Sequence, residues 1–142
     1  MKRLILSALF LPFAGKPGPN PVHSNSTNLV EIRSGDWPMN LERTIEKSDT
    51  SYSLLFRDQQ VVTGVVMDTL PFPDLVQLKY FEEALSTLKT GNNGDIAKFK
   101  DYSIKRAEVK REPVWYILRI KWGLTNFQQP ESDIMIRTIK NL

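Results

Sequence analysis

Apolar positions along this 142-residue chain follow two different spacings. Leu75, Leu78, Phe81, Leu85 and Leu88 recur three or four residues apart, with Lys79, Glu82 and Glu83 off that stripe, which is the pattern of one buried helix face. Asp74 suits the N-cap, and Gln77 three residues on completes a capping-box pattern with an amide in place of the usual Glu. Lys89 falls in the last turn and Gly91 suits the C′ position. The spacing therefore predicts a helix over about Asp74 to Thr90.

Elsewhere the pattern is closer to alternation, as expected of strands. Leu29 and Ile32, then Leu41, Thr44 and Ile45, flank Ser34-Gly35-Asp36-Trp37-Pro38 and predict one or two short strands around that loop. Tyr52, Leu54 and Phe56 alternate, a polar break follows at residues 57–60, and Val61 to Met67 is rich in β-branched residues. This predicts a hairpin turning near Asp58-Gln59, with Gly64 marking a bulge or a close backbone approach. Phe99 to Val109 and Val114 to Trp122 predict a second strand pair around Lys110-Arg111-Glu112-Pro113. In its second strand Tyr116, Leu118 and Ile120 share one face and Trp115, Ile117 and Arg119 the other, so apolar residues on both faces predict a central strand. Gly123 to Glu131 reads as a connection, and Ser132 to Ile139 as a last strand with Ile134 and Ile136 inward. No internal repeat and no βαβ alternation is visible. The expected fold is α+β: an antiparallel sheet of about five or six strands with one amphipathic helix, about residues 74–90, packed on one face.

The N-terminus changes the picture. Met1-Lys2-Arg3 followed by the apolar run Leu4 to Phe13 resembles the n- and h-regions of an export signal. About 10 apolar residues are too few for a membrane-spanning helix, which needs roughly 20. Pro12 fits a cleavage site after Ala14 poorly, and a buried strand from Leu4 to Leu11 closed by Pro12 is the alternative. Residues 15–27 carry three prolines and two glycines without apolar periodicity and read as a linker. They include the formal glycosylation tripeptide Asn25-Ser26-Thr27. The expected organisation is a signal peptide over 1–14, a linker over 15–27 and one domain over 28–142, destined for the periplasm or the exterior; without cleavage the chain is cytoplasmic.

Composition narrows the chemistry. There is no cysteine, and the one histidine, His23, lies in the linker. Thiolate nucleophiles, disulfides and cysteine-based metal sites are excluded, and histidine catalysis nearly so. No phosphate-binding glycine loop, dinucleotide fingerprint or GxSxG motif occurs. Glu82-Glu83 reads as a solvated helix face, and Glu131, Asp133 and Asp95 lack the dense oxygen spacing of a calcium loop. No cofactor, metal or catalytic set is expected, and the chain reads as a non-enzymatic binding module for a protein, glycan or other ligand.

The net charge of +3 is modest, but it concentrates between residues 98 and 121. Lys98, Lys100, Arg106, Lys110, Arg111, Trp115, Arg119 and Lys121 form the candidate binding surface, with Phe99, Tyr102 and Tyr116 among them. Basic strands carrying aromatic rings are what a single-stranded nucleic-acid platform needs, namely charge for phosphates and rings for bases. An intracellular nucleic-acid-binding domain is thus the second reading. The same alternation also solubilises a wet sheet face and guards strand edges.

Overall fold

A computed structural model describes residues 25–142, and the proposed leader, the linker as far as residue 24 and His23 lie outside the described residues. The chain forms four strands and a helix, then four strands and a helix. The first sheet is a meander of β1 (Asn25–Ser34), β2 (Trp37–Glu46), β3 (Asp49–Arg57) and β4 (Met67–Phe72), followed by α1 (Leu75–Lys89). The second is a meander of β5 (Ile96–Lys98), β6 (Tyr102–Ala107), β7 (Trp115–Ile120) and β8 (Leu124–Gln128), followed by α2 (Gln129–Lys140). All neighbouring strands are antiparallel. The fold is α+β, with two four-stranded sheets and two helices in place of the expected single sheet and single helix.

Each sheet turns its apolar face inward. Met39, Leu41, Leu54, Phe56, Leu70 and Phe72 are buried on the first, and Ile104, Tyr116, Leu118 and Phe127 on the second. Between them lie Leu78, Phe81, Leu85 and Leu88 of α1 and Met135 and Ile139 of α2, giving one continuous core. Both helices touch both sheets, α2 through β1 of the first and β7 and β8 of the second, and they pack on each other.

The strand β7 is central, between β6 and β8, as both-face apolarity predicted. Three other expectations are corrected. Residues 132–139 are helical, because Ser132, Met135 and Ile139 fall on one buried face at helical spacing. Glu131 closes the start of that helix by accepting the amide of Gln128 at 3.0 Å, and Pro130 stands in its first turn. The supposed connection after Gly123 contains β8, whose inward positions are Thr125 and Phe127. Val61 to Val66 is not a strand but a loop, with Gly64 at φ +81° and Val62, Val65 and Val66 exposed. The partner of β3 is instead β4, which begins at Met67 and carries Pro71 on the sheet's edge. Helix α1 matches its prediction: Asp74 Oδ1 accepts the amide of Gln77 at 2.9 Å, and Thr90 is the C-cap.

The two sheets are joined where β3 ends. Asp58 is buried, and its Oδ1 accepts the amides of Gln60 at 3.0 Å and Leu124 at 3.1 Å. The Gln59 amide donates to the Leu124 carbonyl at 2.8 Å, and its side chain pairs with Asn126 at 2.7 Å and Thr125 at 3.2 Å. The exposed edge of β8 is thereby partly covered by the end of β3.

Candidate functional site

The strand register gathers half of the sequence-derived candidates at one corner of the second sheet. Lys98 pairs with Ser103, and Ser103 with Arg119, so the three stand in one row on the outer face of β5, β6 and β7. Lys100 lies in the turn between β5 and β6, and Lys121 follows β7 directly. Lys98, Lys100, Arg119 and Lys121 line an open depression of about 450 Å³ together with Phe99, Asp101, Tyr102, Ser103 and Ile120. All four cations are exposed, and none is in an ion pair among the described residues. Asp101 is the one carboxylate in the lining.

Aromatic rings at this corner divide between core and surface. Phe99 stacks on Tyr102 at 4.5 Å between centroids, and Tyr102 continues onto Phe72 and Phe81 at 6.1 and 5.9 Å. Tyr102 therefore belongs to the core, and its burial pushes the phenol well above the ordinary tyrosine range. Trp122, in the turn between β7 and β8, is 77% exposed, with the Lys121 ammonium 5.3 Å from its ring centroid.

The remaining candidates do not join this corner. Arg106 shares the inward face of β6 with Ile104 and is only 8% exposed. Its guanidinium donates to the carbonyls of Leu88 and Lys89, both at 2.9 Å, and pairs with Glu108 at 2.9 Å. It closes the C-terminus of α1, where a cation favours the helix dipole. Lys110 and Arg111 sit in the turn between β6 and β7, with Arg111 at φ +67°. Trp115 is half-buried on the outer face of β7, its indole nitrogen donating to Glu112 at 2.7 Å.

Trp115 instead lines a second groove, of about 440 Å³. Trp37, with the Arg57 guanidinium 4.3 Å over its ring, forms a wall, and Val61 and Val62 form another. Gln59 and Asn126 supply its amides, but they hydrogen-bond to each other. The basic corner presents four cations that form no ion pair among the described residues.

No group of three or more His, Cys, Asp or Glu side chains placed to hold a metal occurs among the described residues. Asp58 and Asp68 approach across the end of β3, and burial, then the charge of Asp58, raises the pKa of Asp68. Asp58, however, is buried and already accepts two backbone amides. No helix among the described residues is long and apolar enough to cross a membrane. No protein-family model, curated protein or solved structure matches the chain, and the chemistry of the basic corner is the guide to its function.

Proposed function

We propose that this chain is an exported, non-enzymatic binding module that engages an anionic ligand through Lys98, Lys100, Arg119 and Lys121. The observation that supports this is the convergence of four exposed cations, none in an ion pair among the described residues, from two strands and the turns that follow them onto one depression. Like charges held together on a rigid sheet repel one another, and a ligand that neutralises them relieves that repulsion. The leader-like N-terminus, Met1-Lys2-Arg3 and the apolar run to Phe13, supports export.

Oligothymidylate is a convenient polyanionic probe. Its affinity should fall with salt at a logarithmic slope of roughly −3, at about −0.7 per neutralised phosphate on a single strand. Changing Lys98, Lys100, Arg119 and Lys121 together to Ala should abolish binding, whereas Lys110→Ala should leave it intact. Salt-insensitive binding, or no binding, overturns the anionic-ligand reading. Mass spectrometry of the N-terminus in the native host addresses export, and an intact Met1 in a cytosolic fraction overturns it.

The second reading is an intracellular single-stranded nucleic-acid-binding domain. The exposure of Trp122 beside Lys121 favours it, since an accessible ring next to cations is what base stacking on a single strand needs. That reading requires oligonucleotide affinity to drop in Trp122→Ala and to exceed affinity for polyphosphate of equal charge.

A further inference from the structure

Beside the basic corner the molecule exposes an apolar tip. Val62 is 88% exposed, and Val65, Val66 and Met67 are each about half exposed, in a seven-residue stretch (61–67) without a charge. Trp122 is the fifth member. The two loops run side by side because Asp58 holds both: its amide donates to the Val66 carbonyl at 2.8 Å and its carboxylate accepts from Leu124 at 3.1 Å. The Asp68 carboxylate also lies against Gly123, where a β-carbon would collide with it. Lys121, next to Trp122, continues the surface into the depression lined by Lys98, Lys100 and Arg119.

We propose that this apolar tip and the basic corner together form a docking surface for an anionic lipid bilayer. Contiguous exposed apolar side chains on a small protein mark an interaction site. Here they are valines, a methionine and a tryptophan, flanked on one side by long cationic side chains. Tryptophan favours the bilayer interface, and lysine and arginine stems lie along apolar surface while their heads reach phosphates. The Asp58 carboxylate and Oδ2 of Asp68 are buried, and residues 61–67 carry no carboxylate, although Asp36 lines the groove beside Val62. Charge complementarity thus selects an anionic surface, and the uncharged tip selects one with an apolar interior. A soluble polyanion satisfies only the first of these.

This inference rests on the basic corner being a binding surface, and its test separates the two ideas. The full chain is mixed with phosphatidylcholine vesicles with and without phosphatidylglycerol, and binding is read by sedimentation and tryptophan emission. Binding to phosphatidylglycerol vesicles with a blue shift is expected, the shift disappearing in Trp122→Phe. Each Lys→Ala change at residues 98, 100 or 121 should lower the partition coefficient about fivefold. The double variant V65D/V66D, altered only at exposed positions, should lose vesicle binding and keep oligothymidylate binding. The N-terminal apolar run is common to both chains, so the difference between them reports the tip. Oligothymidylate binding without vesicle binding overturns the bilayer inference and leaves the anionic-ligand reading standing. Vesicle binding unchanged in V65D/V66D overturns the role of the tip, and absence of both kinds of binding overturns both ideas.

Discussion

Two carboxylates at the joint between the sheets have opposite surroundings. Asp58 accepts two backbone amides, whereas Asp68 Oδ2 is buried with no hydrogen-bond partner. Burial, then repulsion from Asp58, therefore favours the protonated form of Asp68 in the folded protein. Its folded pKa lies above the ordinary 3.8, so the folded state holds its proton more tightly than the unfolded state does. Stability from this group is greatest below 3.8 and declines as pH rises through the raised value. Replacing Asp68 by Asn should raise the melting temperature at neutral pH, and the gain should shrink on acidification below the ordinary carboxylate range. A melting-temperature series against pH for the two proteins checks this. An Asp68→Asn gain that persists unchanged in acid would show that the carboxylate's charge is not the cause.

At the scale of elements, the C-terminus of α1 depends on a residue from another element. Arg106 on β6 satisfies the carbonyls of Leu88 and Lys89 from a nearly solvent-free position. Arg106→Ala should lower unfolding free energy by about 2–3 kcal/mol, in keeping with charge-assisted hydrogen bonds lost from a buried site. Lys98→Ala, at an exposed position, should stay within about 0.5 kcal/mol. Urea unfolding of both variants makes the comparison. The helix α1 itself was legible because its stripe and its Asp74 cap are both local. The helix α2 is masked in the sequence because Ile134 and Ile136, two apart, imitate strand alternation. Its true signal was Pro130-Glu131 after Gln128, with Ser132, Met135 and Ile139 at helical spacing. The strand β8 has a weak sequence signal because it is short and turns a threonine, Thr125, inward. The inward position of Arg106 was legible in principle, since it keeps step with Tyr102 and Ile104 along β6.

At the scale of the molecule, the same order of four strands and a helix occurs twice, although no repeat is visible in the residues. What defines each half is hydrogen-bonded topology, which many different apolar sequences satisfy. The exposed valines at 62, 65 and 66 illustrate the reverse case. Their local composition is that of a strand, and only the tertiary path of the loop leaves them facing water. The apolar tip was therefore invisible as a surface until the fold was known, whereas the basic corner was half visible as an alternation of charges. Because α1 packs on both sheets and the buried residues form one cluster, the two halves share a core. A fragment ending at Thr90 should lack a cooperative thermal transition by circular dichroism. A sharp, reversible transition in that fragment would show the first half to be an independent folding unit.

The bond between Asp58 and Leu124 also sets a clock. These residues stand 66 apart in the chain, so the joint between the sheets closes only after most of the polypeptide is present. Loops of that length close slowly compared with hairpins and helices, which places folding in the slower range of small domains. A chain delivered N-terminus first therefore holds its first sheet and α1 before the second sheet is there to complete the shared core. During that interval it remains extensible and unable to commit to its final shape. That is the condition in which a polypeptide can be threaded through a narrow pore, and the same delay leaves it open to unwanted association until β8 arrives.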